Sequence, residues 1–145
     1  MNSQRIRRAE RIVELRQTGV DEAQTALAEA KRRAQEAEAT AAAAEALWMN
    51  ETAAADHGVP SSVDLATLSA WLRSLRVQAD QAAARAAEAT KAVQGCHDAL
   101  IAARRELRRI ELWRDGIAAA ARAEQDRMDR LAADEVTARA SRRFS

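Results

Sequence analysis

The residue types that most often carry out chemistry in proteins are scarce in this chain and stand apart from one another. Cys96 is the only cysteine, and His57 and His97 are the only histidines. A single thiol can form neither an intrachain disulfide nor a cysteine-based zinc site. Neither histidine has a nucleophile or a second ligand at the spacing of a catalytic pair or a metal site. We therefore interpret His57 as a turn residue and His97 as a surface residue.

The motifs that mark common active sites are also missing. The sequence holds no glycine-rich phosphate loop, no H-E-x-x-H and no G-x-S-x-G. It also has no 18-residue apolar run and no cleavable signal peptide. The sequence therefore predicts a cytoplasmic, non-enzymatic protein with no cofactor, no metal ion and no direct membrane insertion.

Composition points to long helices in place of a compact core. Alanine makes up about a quarter of the residues, which is typical of a coiled coil or long helix. Tyrosine is absent and Phe144 is the only phenylalanine. Since large side chains are so few, a globular core could not offset the entropy of the chain, whereas two helices need only one apolar seam.

One segment forbids a helix from continuing. Pro60 is the only proline, and proline inside a helix costs about 3 kcal/mol. Gly58 can adopt the left-handed conformation that ends helices, and Ser61 with Asp64 resembles a capping box. We therefore predict a single all-α domain over residues 1–145, a long antiparallel two-helix hairpin with helices at 3–55 and 62–140 and a turn at 56–62.

Both predicted helices carry a heptad repeat of small and apolar residues. In the first helix the a positions are Ile6, Val13, Val20, Leu27, Ala34, Ala41 and Trp48, and the d positions are Ala9, Arg16, Ala23, Ala30, Ala37 and Ala44. In the second they are Leu65, Leu72, Ala79, Ala86, Val93, Leu100 and Leu107, with Leu68, Leu75, Ala82, Ala89, Cys96, Ala103 and Ile110. A turn centred near Val59 sets Trp48 beside Leu68, Ala41 beside Leu75 and Ile6 beside Ile110.

The second helix is predicted to outrun the first, and this is the clearest functional signal. Residues from about Asp115 onward have no partner inside the chain in this register, yet they keep an apolar stripe that includes Ile117, Met128 and Leu131. An unpaired apolar stripe predicts contact with another protein. At the turn end, Trp48, Trp71 and Leu72 are predicted to lie close together, where the tryptophans either lock the turn region or form, with Leu72, a second partner site. That end is acidic, because residues 34–72 contain no Lys or Arg.

The segment Ala123–Ala132, A-E-Q-D-R-M-D-R-L-A, resembles the C-terminal E-Q-x-x-M-D-E-x-A segment of the FliJ and YscO-type family of type III secretion proteins. Arg130 stands where the family pattern has glutamate. The resemblance implies a non-enzymatic central stalk of a flagellar or injectisome export ATPase, which couples the ATPase to the export gate. It implies as partners a hexameric secretion ATPase, an export-gate membrane protein and secretion chaperones, and a place beside the inner-membrane export apparatus. The implied ATPase-binding residues are Ile117, Glu124, Arg127, Met128, Asp129 and Leu131.

Two other interpretations stay open at this point. A generic coiled-coil scaffold or self-associating adaptor would pair the overhang with its own copy. A coiled coil that acts on nucleic acid would use the basic ends or the acidic tip, but the stacking aromatic residues expected beside such an arm are missing. We therefore predict no nucleic-acid partner.

Overall fold

The computed structural model describes residues 2–58 and 64–144, which form two α-helices packed against each other as an antiparallel hairpin. Helix α1 spans Asn2–Asp56 and helix α2 spans Leu65–Arg143. The described residues contain no strand. The predicted fold class is therefore confirmed. The predicted turn at 56–62 falls largely on Val59, Pro60, Ser61 and Ser62, which lie outside the described residues.

Helix α1 ends as its sequence predicts. His57 and Gly58 donate backbone hydrogen bonds to Ala54 and Ala55 at 3.2 and 3.3 Å, so the last turn tightens. Gly58 has a φ of 125°, a region that side chains disfavour and glycine tolerates. The glycine therefore lets the backbone leave the helical path directly after Asp56.

Asp64 caps the start of α2. Its side-chain Oδ1 accepts a hydrogen bond from the backbone N–H of Ala66 at 3.3 Å, and its carbonyl accepts one from Leu68 at 3.0 Å. This is the geometry of a helix N-cap, which satisfies an amide that the helix itself leaves unpaired. The helix begins at Leu65, three positions later than the sequence predicted.

The predicted heptads form the contact face of both helices. Of the a and d positions listed above, all are buried or half-buried except Arg16 and Leu65. The buried seam residues are small or medium in size, and they are Ala9, Val20, Leu27, Ala30, Ala34, Leu75, Ala79, Ala82 and Leu100. Because alanine buries little area, each heptad of this seam contributes only modestly to stability, and length has to compensate.

The chain divides into two compact units, each with the helices antiparallel. The first comprises Met1–Asp21 with Ala102–Ser145, and the second is Glu22–Ile101. In the first unit, Nε of Arg16 lies 3.9 Å from Oε1 of Glu106. In the second unit, Arg76 bonds to Glu45 across the helices at 2.7 Å.

These contacts correct the predicted register. The prediction sets Trp48 beside Leu68, which would bring Glu45 level with about Trp71, whereas Glu45 contacts Arg76. It sets Ile6 beside Ile110, whereas Ile117 lines one groove together with Asn2 and Arg5. Residues of α2 therefore lie about one heptad, roughly seven residues, from their predicted partners in both units.

The shift in register explains why the buried face of each helix was predicted correctly while the residue pairs across the seam were not. Moving a helix by a whole heptad returns the same a and d positions to the seam, and an alanine-rich seam has few large side chains to favour one alignment. The shift also explains Leu65, which is 67% exposed. In the observed alignment Leu65 lies level with Gly58, beyond the end of α1, and so has no seam to enter.

Two helix-interior glycines offer a test of this description. A Cβ at Gly19 or Gly95 would have no neighbour within 4 Å, so the helices do not need glycine there for close approach. We expect Gly19→Ala and Gly95→Ala each to raise the free energy of unfolding by about 0.5–1 kcal/mol, because alanine loses less entropy in a helix. Gly58→Ala is the matched control, and it should lower stability because its φ is positive. Urea denaturation followed by circular dichroism measures all three, and a loss of stability in Gly19→Ala would contradict the open packing described here.

Candidate functional site

The described residues contain no cluster suited to metal binding. No group of three or more His, Cys, Asp and Glu side chains in residues 2–58 and 64–144 could hold a metal ion. No helix in the same ranges combines the length and apolarity needed to cross a bilayer. Exposed large apolar side chains occur along both helices, and two surfaces combine them with features suited to a partner.

The first surface is the C-terminal part of α2. Every described residue from Arg122 to Phe144 is exposed, whereas Ala121 is still half-buried. We call Arg122–Arg143 the overhang. Met128 and Leu131 lie on it with 54% and 55% of their surfaces exposed. These are large apolar side chains on a helix that nothing in the described chain covers.

Polar side chains of the overhang are paired along the helix. Arg127 donates a hydrogen bond to Glu124 at 2.8 Å, and this bond holds the pKa of the Glu124 carboxyl below its ordinary value. Gln125 donates to Asp129 at 3.0 Å, and Arg139 donates to Glu135 at 2.8 Å. Such exposed pairs stabilise a helix by only a few tenths of a kcal/mol each, roughly 0.3–0.5, so they remain free to exchange partners.

Ile117 lies outside the overhang. It is half-buried, and it lines an open groove of about 500 Å³ with Asn2, Arg5 and Trp113. The expectation that residues from about Asp115 onward lack a partner in the chain is therefore wrong for Ile117 and Ala121. The cause is the register, because α1 reaches about one heptad further along α2 than predicted.

The second surface lies where α1 ends and α2 begins. An apolar notch of about 360 Å³ is lined there by side chains from both helices, with Trp71 48% exposed at its edge. We call this notch the tip surface. Its lining residues are Glu51, Ala54, Ala55, Gly58, Thr67, Leu68 and Trp71.

The three predicted tip residues have different environments. Trp71 lines the notch, as an exposed anchor would. Trp48 is half-buried and lies under the guanidinium of Arg76, whose Cζ is 4.5 Å from the ring centroid. Leu72 is a half-buried seam residue. Of the three, Trp71 has the accessibility that a partner would need.

Arg76 connects the two helices, and the sequence analysis missed it. Its two terminal nitrogens donate to both carboxylate oxygens of Glu45, at 3.0 and 2.7 Å, and it also donates to Asp80 at 2.8 Å. A bidentate contact of this kind fixes the geometry of both side chains. The heptad repeat contained a signal for this contact. Glu45 and Arg76 each directly follow a d position, and charged residues at such positions flank the seam and pair across it.

Charge differs between the two compact units. The unit formed by Met1–Asp21 and Ala102–Ser145 carries 16 basic and 11 acidic residues, whereas Glu22–Ile101 carries 7 and 11. The overhang thus belongs to a basic unit and the tip surface to an acidic one. Partners at the two surfaces are expected to differ in charge.

The fold and these two surfaces define a two-helix coiled-coil protein. A model of the family described as flagellar FliJ protein matches residues 6–144. The chain belongs to the FliJ family, a non-catalytic family related to flagellar and type III export, and the family resemblance predicted from residues 123–132 is confirmed. No curated protein and no solved structure matches the chain.

The Arg76 contacts lead to a prediction about stability. Arg76→Ala should lower the melting temperature by a few degrees, because it removes the bidentate bond to Glu45 and uncovers Trp48. Arg73→Ala is the matched control, since the Arg73 side chain bonds only to a carbonyl one turn earlier on its own helix. Thermal unfolding by circular dichroism compares the two variants, and equal effects would mean that Arg76 does not link the helices.

The same contact predicts a pH dependence. The hydrogen bond from Arg76 lowers the pKa of Glu45 below its ordinary value of 4.5. The stabilisation is therefore complete above pH 4.5 and is lost as pH falls through the lower pKa of the folded state. Glu45→Gln should remove this contribution, so the stability difference between wild type and variant should shrink as pH decreases from 5 toward 3.

Proposed function

We propose that the chain is a non-enzymatic central-stalk component of a type III export ATPase, flagellar or injectisome, and that it couples the ATPase to the export gate. Family membership supports the export role. The observation that carries the stalk assignment is the overhang, a helix that continues past α1 with Met128 and Leu131 exposed.

The overhang is the surface that we assign to the hexameric ATPase. Met128 and Leu131 supply apolar area, and burial of such side chains drives most protein association. Glu124, Arg127 and Asp129 lie near them and would contribute orientation and association rate more than affinity. Ile117 would take part only at the edge of the contact, because the groove with Asn2 and Arg5 already covers it in part.

The tip surface is the part that we assign to the export gate. Trp71 offers an aromatic side chain at the edge of an apolar notch, which is the composition of many binding hot spots. Trp48 and Leu72 would support this site from the seam. The protein would then act at the cytoplasmic face of the inner membrane, peripheral to the export apparatus, with chaperones as further partners.

Truncation tests the assignment of the overhang. A chain that ends at Ala121 keeps every seam position that α1 covers, so its melting transition should stay close to that of the full chain. Binding to the cognate export ATPase should be lost, because the exposed apolar residues are gone. Analytical ultracentrifugation and ATP hydrolysis measure the two effects. A truncated chain that still binds and stimulates the enzyme would refute the stalk orientation.

A point variant makes the same test without removing the helix. Leu131→Ser should weaken ATPase binding by about tenfold, as expected for loss of a buried leucine at an interface. Leu112→Ser is the matched control, because Leu112 is 54% exposed on the same helix but lies on its outer face. Equal loss in both variants would mean that binding follows general surface hydrophobicity.

Trp71→Ala tests the assignment of the tip. The exposed ring contributes little to the hairpin, so the melting temperature should change slightly, while binding to the cytoplasmic domain of the export-gate protein should weaken severalfold. Val77→Ala is the control, with 53% of its surface exposed outside the notch. A lowered melting temperature with unchanged gate binding would show that Trp71 only stabilises the hairpin end.

A further inference from the structure

The heptad frame of the seam continues into the overhang without interruption. In the frame set by Leu107 and Ile110, the following a positions are Arg114, Ala121, Met128, Glu135 and Arg142, and the d positions are Ile117, Glu124, Leu131 and Ala138. Met128 and Leu131 therefore lie on the helix face that α1 covers earlier in the chain. The overhang thus presents a seam whose second helix is missing from the chain.

Two glutamates interrupt this seam. Glu124 and Glu135 occupy a and d positions, where the rest of the chain has mostly alanine, leucine or valine. Each is paired only along its own helix, with Arg127 and Arg139 at 2.8 Å. A helix that covers this face would press against both carboxylates, each of which has one arginine at the edge of the seam. A further cation on the covering helix would offset the cost of burying the two charges.

A second copy of the chain is a poor occupant for this reason. In an antiparallel pair that sets Met128 against Leu131, Glu124 of one copy faces Glu135 of the other, and both such contacts repel. A shift by one heptad in one direction sets Glu124 against Arg142 but Glu135 against Leu131, and a shift in the other direction sets Glu124 against Met128. In each case a carboxylate still meets a large apolar side chain. In a parallel pair each glutamate faces its own counterpart. Exposed pairs beside the seam, such as Arg127 with Asp134, would attract. Each such pair stabilises the dimer less than repulsion between two buried carboxylates destabilises it.

We propose that the overhang binds an amphipathic helix of another protein, one with apolar residues along its seam and Lys or Arg at the two positions that face Glu124 and Glu135. The same two glutamates keep copies of this chain apart. This inference rests on the proposed function for the presence of a partner at the overhang, and it adds the chemistry by which that partner is selected. Charge complementarity inside a seam is a known means of choosing between helical partners.

Synthetic helical peptides test the selection directly on the full chain, with no ATPase present. One peptide carries Leu and Ala at its seam positions with Lys at the two that face Glu124 and Glu135, and the other carries Glu there. We expect the lysine peptide to bind about tenfold more tightly or better by fluorescence titration. The Glu124→Lys/Glu135→Lys variant should reverse this preference. Equal affinities, or no binding of either peptide, would overturn the proposal.

Sedimentation tests whether Glu124 and Glu135 keep copies of the chain apart. The wild-type chain should be a monomer, and Glu124→Leu/Glu135→Leu should dimerise, because the seam then becomes apolar from Ile117 to Ala138. Asp115→Leu/Asp126→Leu is the control, since it also replaces two carboxylates by leucine, at exposed positions on the outer face of the same helix, and should leave the chain monomeric. A wild-type dimer, or a Glu124→Leu/Glu135→Leu variant that stays monomeric, would overturn the role given to the glutamates.

These outcomes are separable from failure of the stalk assignment. If the truncated chain still binds the ATPase while the lysine peptide shows the expected preference, the overhang selects basic helices but the ATPase is not the partner. If truncation abolishes ATPase binding and the peptides bind equally, the stalk assignment stands and the proposed selection fails.

Discussion

The structure depends on a seam of small side chains between two long helices. Alanine at 12 of the 27 a and d positions lets the backbones pack closely, but it buries little apolar area at each step. Stability of the pairing must therefore accumulate along the length of the helices. The absence of a compact core follows from the same constraint, as does the exposure of nearly every charged side chain.

A seam of small residues specifies which faces of the two helices pack together. It specifies the register between the helices only weakly. A displacement of one heptad exchanges one small residue for another, so the packing energy changes little. The alignment is then set by less repetitive features. Arg76 is one of them, since its bond to Glu45 and its contact with Trp48 require a particular partner level with it. The helix ends are another, because the cap at Asp64 and the positive φ of Gly58 limit where each helix can run.

The functional surfaces arise where this seam ends. Beyond Ala121 the heptad frame goes on while α1 does not, so Met128 and Leu131 are exposed although their positions are those of core residues. At the other end of α1, Leu65 is exposed for a similar reason, since α1 stops at Asp56. A protein of this kind acts by presenting helical faces, and its specificity resides in the charges set among apolar positions, such as Glu124 and Glu135.

Much of this protein was determined by local sequence alone. The heptad period defined the buried face, Gly58 ended the first helix, and the spacing of residues 123–132 indicated the family. Each of these signals is local, because it depends on residues within a few turns of one another. The register, the Arg76 contacts and the true start of the overhang were decided only by the tertiary structure. They depend on pairing between residues far apart in the chain, and a repeating seam of alanine gives nearly equal energies to alignments that differ by one heptad.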